Sequence, residues 1–428
     1  VVLPHLVSEP RVLDLAILDG VRSPFVKAFG PLAHVPAQEL GRLVTVELLR
    51  RTDTPADHVD QVVFGNAASP PEAANVARVI ALLAGIPHNR IAHCVHRNCA
   101  SGFESIAAAA QLLRLGEARR VAAGGVESMS RIPLLFSAEA TARFLDLAKA
   151  KGWWQRLRAL ARFRPWHFQP VPALKLGLTD PVSGLIMGET AEVLADDFSI
   201  RREDQDAYAV RSHHRAAAAD FSDEIVPVPD AAARDVGPRR DQSLEALGKL
   251  RPYFRKNGTV TVGNSCSITD GAGAILLVSG ELVRAEGRTP LGYLRGVVHA
   301  GCEPRRMGLG PVFATAKLLD KLGMTLADFD LVELNEAFAA QVLACFRAFA
   351  SAHFARDHLG RAAPLGELDP EKVNVNGGAI ALGHPIGATG IRLVVTLLRE
   401  LQRRNLRRGL ATLCVAGGQG GAIAVERP

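Results

Sequence analysis

Short apolar stretches that close on glycine turns, each followed by residues at helical spacing, occupy both ends of this chain and restrict it to an α/β architecture. In the first 130 residues, "LDLAILDGVRSP" (13–24) and "HVDQVVFGNA" (58–67) read as strands leaving into turns. "ARRVAAGGVESMS" (118–130) reads as a short buried strand ending in a glycine turn. Between them, "QELGRLVTVELLRR" (38–51) and "EAANVARVIALLAG" (72–85) have helical spacing. The alanine-rich run after Cys99 suits a helix buried on all sides, because small side chains let neighbouring backbones approach. From 131 to 257 the pattern turns irregular, rich in proline and charge, and reads as an insertion with its own lobe. Helices are expected in it at "SGLIMGETAEVLADDF" (183–198) and "REDQDAYAVRSHHRAAAA" (202–219). Strand character resumes in "GTVTVGNSCSITDGAGAILLVSG" (258–280), and the last third repeats the alternation. The expected divisions are a first half over 1–130, the insert over 131–257, return strands of the first half over 258–282, and a second half over 283–428. "VAAGGVE" (121–127) echoes "CVAGGQG" (414–420), which suggests a duplicated α/β unit.

Composition narrows the function classes. A chain of 428 residues is long enough for two or three cores. Its 6 cysteines are too sparse for a disulfide framework, and no secretory apolar segment opens it. A reducing compartment is expected, the cytoplasm of a bacterium or else a mitochondrial matrix. The ending "VERP" is no peroxisomal tripeptide. No run of about 18 apolar residues exists, so no membrane-spanning helix is expected. The net charge of +6 is concentrated in residues 141–180, which hold eight Lys/Arg against two acids and all 3 tryptophans. The remainder is near neutral, which argues against a nucleic-acid-binding surface. Within that window, Trp153, Trp154, Leu157, Leu160 and Ala161 fall in an arc of roughly 120° on a helix, flanked by Arg156, Arg158 and Arg162. Such a helix either covers the protein's own core, lies on an anionic membrane surface, or fits a partner's groove.

Four stretches carry candidate chemistry: "NCASG" at Cys99, "ELNEAFAAQ" around Asn335, "NVNGGAIALGHPIGATG" around His384, and "CVAGGQGGA" at Cys414. Singly each is ambiguous. The glycine-rich stretch lacks the Gly-Lys-Ser/Thr ending of a P-loop and the dinucleotide fingerprint. His93, Cys94, His96 and Cys99 crowd together, but their spacing fits no zinc finger or knuckle, and no metal is expected.

Together, in their order, these stretches resemble the thiolase family, with "MGETAE" at Met187 and "GNSCSITDGA" at Gly263 adding to the match. The resemblance runs over nearly the whole chain. It implies a thiolase fold of two duplicated layered α/β halves with an inserted loop domain. It also implies cleavage of 3-ketoacyl-CoA by coenzyme A through an acyl-cysteine, in a ping-pong sequence. A free thiol, with a pKa of about 8.5, is a few per cent thiolate at pH 7 and must be activated. Cys99, at a helix N-terminus, gains from the dipole. The resemblance offers His384 as its base and as a holder of the thioester oxygen of the leaving acetyl-CoA. Asn335 would anchor a water that completes that oxyanion site. Cys414 would protonate the enolate and later deprotonate the incoming CoA thiol. The backbone N–H groups of Cys99 and Ala416 would face the carbonyl under attack.

Ser265 and Cys266 match the stretch that touches the pantetheine arm, with Cys266 where a serine is common and so a weaker hydrogen-bond partner. Met187 and Ile186 match the acyl pocket, where short-chain members carry a histidine in place of Ile186. Ala416 replaces a glycine and would resist a positive φ. Coenzyme A is expected as co-substrate, with no permanently bound cofactor.

The segments around 134–192 and 345–370 look like the thiolase subunit of fatty-acid-oxidation complexes. The degradative reading, fatty-acid beta-oxidation of medium- or long-chain 3-ketoacyl-CoA, is expected, with a homodimer or dimer of dimers, a possible hydratase/dehydrogenase partner, and possible peripheral membrane contact through 141–180. The rival readings are a biosynthetic acetoacetyl-CoA-forming thiolase and a non-catalytic CoA-binding scaffold with the same fold.

Overall fold

The computed structural model describes residues 14–428. The absence of a leader read from the first residues therefore lies outside the described part. The first half runs β1 (Leu15–Arg22), α1 (Ala37–Arg51), β2 (Gln61–Gly65), α2 (Val76–Leu83), β3 (Ile91–Val95), α3 (Ser101–Arg114) and β4 (Arg120–Ser128). Four longer helices follow, α4 (Ala138–Lys149), α5 (Trp153–Leu160), α6 (Met187–Asp197) and α7 (Arg202–Ala218), with short helical turns at Ala173–Gly177 and Leu244–Gly248. Strand β5 (Thr269–Ser279) then returns to the sheet. The second half comprises β6 (Gly292–Gly301), α8 (Gly310–Leu322), β7 (Leu331–Leu334), α9 (Ala339–Ala350), α10 (Thr389–Arg403), β8 (Arg408–Val415) and β9 (Gln419–Glu426).

The long strands lie in the order β7-β8-β9-β6-β1-β5-β4-β2-β3, with the short strand Val26–Lys27 added beside β5. Counted outward from the central β6–β1 pair, each half repeats one order: β6-β9-β8-β7 and β1-β5-β4-β2. The directions match as well, since β2–β4 and β7–β8 are parallel while β4–β5 and β8–β9 are antiparallel. Where the first half adds β3 parallel to β2, the second half keeps a single parallel bridge, Val373 to Val332. The duplication is therefore real, but the echoed segments are not equivalent. Residues 121–127 lie within β4, whereas 414–420 form the end of β8, a turn and the start of β9.

Strand alternation sorts side chains into layers. Leu15, Ile17, Val63, Val121 and Ile275 face a central core shared with Phe103 and Ile106 of α3 and Ile391 and Val394 of α10. Their neighbours Ala16, Val62, Phe64, Ala122 and Leu276 face α1 and α2. In the second half, Ala411, Leu413 and Ile423 face the same central helices, while Leu410, Ala422 and Ala424 face α8 and α9. The result is five alternating layers of helix and strand around α3 and α10.

The double glycine at 124–125 does not end its strand, as the sequence suggested; β4 continues to Ser128. A Cβ on Gly124 would lie 2.3 Å from the Phe64 ring, and one on Gly125 would lie 2.0 Å from the Gly387 carbonyl oxygen. These glycines serve close approach rather than chain reversal. The residues ahead of β5 also depart from expectation: strand structure begins only at Thr269, and 258–268 is a looped segment.

The stretch 131–257 divides into two parts. Met187, Ala191 and Leu194 of α6 and Tyr208 and Ala209 of α7 share one core with α8 and α9. Further back, Arg22 of β1 is fully buried and holds Glu224 at 2.6 Å and Asp235 at 2.7 Å. By contrast α4 and α5 stand apart. Phe144 packs on Phe136 (4.9 Å) and Phe163 (5.0 Å), and buried His167 reaches Glu139 at 3.0 Å. No residue of α5 is buried, and Trp153 and Trp154 are 66% and 64% exposed. This overturns core cover as the use of α5, because the layered core closes without it. Among the described residues no helix is long and apolar enough to cross a membrane.

Candidate active site

The strand β3 delivers the chain into a tight turn, and α3 begins just after it at Ser101. Asn98 takes a left-handed φ of 43°, which asparagine tolerates, and Cys99 follows two residues ahead of the helix. The Ser101 hydroxyl locks the turn by donating to the Asn98 carbonyl (2.7 Å) and accepting from the Arg97 N–H (3.0 Å). Burial pushes the Cys99 thiol up, while the nearby backbone N–H groups of Ala416 and of Cys99 itself act the other way. The turn is tied to the other half of the chain by Asn98, whose Nδ2 donates to the Ala416 carbonyl at 2.9 Å.

Ala416 lies in the β8–β9 turn. Its φ is not positive; Gly417 (85°) and Gly418 (78°) supply the left-handed residues. The alanine that replaces a glycine therefore carries no backbone penalty, contrary to the expectation from sequence. Cys414, at the end of β8, is buried. Burial raises its pKa well above the usual thiol value, and the nearby Cys99, Cys345, Cys266 and Cys302 thiols raise it further.

The looped segment 264–269 joins the other two stretches. The Cys266 N–H donates to the Ala337 carbonyl (3.0 Å), and the Ala339 N–H to that of Asn264 (2.9 Å), so the segment lies against "NEAF". The His384 N–H donates to Ser267 O (3.2 Å) and to Thr269 Oγ1 (3.1 Å). Buried Glu192 on α6 fixes the start of the segment by accepting from the Thr259 and Val260 N–H groups, both at 2.9 Å.

His384 Nδ1 lies 2.6 Å from the Thr389 hydroxyl, which donates its one proton to Pro385 O at 3.0 Å. The hydroxyl must therefore accept from Nδ1–H, which leaves the lone pair on Nε2. That Nε2 is buried without a partner. Burial, with the charge of Arg392, lowers the His384 pKa to about 4, so the imidazole is neutral at pH 7. Asn335, at the end of β7, is fully buried, and both its side-chain oxygen and nitrogen lack partners. Buried polar atoms normally find partners, so such orphans mark a place where a ligand or water binds.

The sequence-derived substrate residues separate. Ser265 is buried and its hydroxyl donates to Thr261 O at 2.6 Å, so that donor is spent within its own loop. Cys266 is half-buried with its pKa raised to about 12, by burial first and then by Cys99. Ile186 is half-buried just before α6, and Met187 is packed into the core of the second half. His93 and His96 are exposed, and among the described residues no cluster suits a metal ion.

Several buried groups escaped the sequence reading. Glu127 accepts from the N–H groups of Ala67 (3.0 Å), Ala68 (3.0 Å) and Gly387 (2.9 Å), tying the loop after β2 to the histidine loop. Burial raises its pKa to about 7. Glu336 accepts from Ser212 (2.6 Å), Tyr208 (3.0 Å), Asn374 (3.0 Å) and the Ile380 N–H (3.2 Å). Thr389 stood inside the quoted "GATG", with no signal for its bond to His384.

The family model of the thiolase N-terminal domain matches residues 15–281, and that of the thiolase C-terminal domain matches 288–427. The chain belongs to the thiolase family. A 3-ketoacyl-CoA thiolase of Yersinia enterocolitica is 42% identical over 424 residues, 96% of each chain. One from Pseudoalteromonas translucida is 40% identical over 433 residues, 99% of each chain. Among solved structures, the Bacillus anthracis acetyl-CoA acetyltransferase superposes with a TM-score of 0.85 at 37% identity, covering 97% of this chain and 98% of that one. The human mitochondrial 3-ketoacyl-CoA thiolase in complex with CoA gives 0.84 at 35% identity, with the same coverage. Thiolases are acyltransferases, so this protein is an enzyme of that class.

Proposed function

We propose that this thiolase cleaves medium- or long-chain 3-ketoacyl-CoA with coenzyme A, in the degradative direction of fatty-acid oxidation in a bacterial cytoplasm. The observation that carries the reading is the seating of the Cys99 turn on the β8–β9 turn, where Asn98 Nδ2 donates to the Ala416 carbonyl at 2.9 Å, in a chain that leaves the buried His384 Nε2 and Asn335 amide without partners. The Cys99 thiol attacks the 3-keto carbon as His384 Nε2 takes its proton. With the thiol raised and the imidazole near 4, both partners start neutral, so the proton moves during attack rather than before it. The new alkoxide faces the Cys99 and Ala416 N–H groups. The carbon–carbon bond then breaks, and the enolate oxygen of acetyl-CoA is held by His384 and by the site beside Asn335.

Cys414, kept protonated by burial, gives its proton to the enolate carbon. Its thiolate then removes the proton of the incoming CoA thiol, which attacks acyl-Cys99 and leaves as the shortened acyl-CoA. Cys99 recovers its proton from His384. A biosynthetic acetoacetyl-CoA-forming thiolase would use the same groups. Thiolysis rates over a chain-length series separate the two, and a strict four-carbon preference defeats the degradative assignment.

Strand β3 supports a homodimer, or a dimer of dimers. Among the described residues it is the sheet edge, paired with β2 alone, and it exposes Ile91 by 61%. Sedimentation of a monomer at micromolar concentration would refute it. The exposed face of α5, with only Arg143 of the window's eight basic residues paired to acids among the described residues, suits an anionic lipid surface. Trp153/Trp154→Ala should abolish co-sedimentation with anionic vesicles. Binding only to a hydratase/dehydrogenase chain would favour the partner reading instead.

A further inference from the structure

We propose that Asn98 is a positioning residue that sets the spacing of the two backbone donors facing the acyl oxygen on Cys99. This rests on the acyl-Cys99 reading above. The two donors belong to different halves of the protein, and no single helix or strand fixes the distance between them. The direct tie is Asn98, whose Nδ2 donates to the Ala416 carbonyl at 2.9 Å across 318 residues of sequence. Asn98 is the immediate neighbour of one donor and is bonded to the residue that supplies the other.

Among the side chains beside the two donors, that bond is the one that reaches Ala416 itself. Gly417, next to Ala416, is exposed and has open space where a side chain would be. On its far side the turn is held by the Cys302 N–H, which donates to Gly418 O at 2.7 Å, but that bond lies within the second half. Arg97 provides one outer tie, donating to Gln419 Oε1 at 3.1 Å while Glu104 holds it at 2.6 Å. Asn98 also suits its backbone place, since a left-handed φ of 43° is one that asparagine adopts more readily than most side chains. A single residue therefore combines a φ that aims Cys99 with a donor that holds Ala416. Donors to a developing oxyanion act only within hydrogen-bond distance of it, and a displacement of about 1 Å costs about 10²-fold in rate.

Two substitutions separate the donor from the backbone. Asn98→Gly keeps the left-handed turn without strain and removes the donor. Asn98→Asp keeps the size but presents a carboxylate that cannot donate. Both should lower kcat about 10- to 100-fold, with KM for coenzyme A little changed and the melting temperature close to that of the parent. A second readout follows because the Ala416 N–H is one of the groups that draw the Cys99 thiol down. The pH profile of Cys99 alkylation by iodoacetamide should move to higher pH in Asn98→Gly, which adds no charge beside the thiol, and a purely structural role would not produce that shift. Retention of parental kcat and of the parental alkylation profile in Asn98→Gly would overturn the proposal. Failure of the parent enzyme to form acyl-Cys99 at all would instead overturn the reading on which it rests.

Discussion

Gly125→Ala is a one-methyl perturbation placed where the two halves interlock. Gly125 sits in β4 between Gly65 of β2 and Gly273 of β5. A Cβ there would lie 2.0 Å from the Gly387 carbonyl oxygen, against ordinary contact at 3.4 Å and beyond, so about 1.4 Å of movement is required. The histidine loop has little room to give. A Cβ on Gly387 would meet Val126 O at 2.5 Å and Gly65 O at 2.7 Å, and one on Gly390 would meet the Phe103 nitrogen at 2.6 Å. The displaced loop carries both His384 and Thr389. Overpacking of this kind costs about 1–3 kcal/mol of stability, and an ångström of misplacement at the base costs about 10²-fold in rate, or roughly 2.7 kcal/mol. Steady-state thiolysis gives kcat/KM, and urea denaturation gives the stability of the same preparation. Gly152→Ala is the control, because nothing lies within 4 Å of a Cβ at that position. A Gly125→Ala enzyme within about threefold of the parent in kcat/KM and unchanged in urea midpoint would refute the interlock.

Thr389→Val removes the hydroxyl that orients His384 and should lower kcat by at least about tenfold, measured in the acylation burst. Arg392→Met leaves Glu333, paired to it at 2.5 Å and buried, without its cation. Breaking such a pair costs about 3–5 kcal/mol, read in the urea midpoint at pH 8. The Glu104 carboxyl is held at about 2, by the His299 hydrogen bond first and then by Arg97. With the folded value below the unfolded 4.5, its stabilisation is present above pH 4.5 and is lost as pH falls toward 2. The stability gap between the parent and Glu104→Gln should accordingly narrow from pH 6 to pH 3, as followed by chemical denaturation.

Local periodicity made the layered halves legible: β1, α1, β2, α2 and β4 all lie where spacing placed them, because each alternation answers to one buried face. Order and spacing of motifs likewise brought Cys99, Asn335, His384 and Cys414 into one reading. Relations between distant segments were not legible. Nothing local shows that Gly125 faces Gly387, that Asn98 reaches Ala416, or that Thr389 holds His384. The same limit explains why a glycine pair by itself reads as a turn and why the α5 pattern fits three uses. Its amphipathic pattern is identical whether its apolar face meets core, lipid or partner, and only the completed layers show that the core has no vacancy for it. Ala416 is the reverse case. A residue type that raised doubt proves neutral, because the left-handed positions of its turn fall one and two residues later.

The central claim is that Cys99 carries the acyl group. Intact-protein and peptide mass spectrometry after brief exposure to a series of 3-ketoacyl-CoA esters tests it most directly. The account predicts a mass increase equal to the shortened acyl chain, located on the peptide containing Cys99, strongest for medium and long chains and absent in Cys99→Ala. An adduct on Cys414 or Cys266 instead, or full thiolysis without any adduct on Cys99, would contradict it.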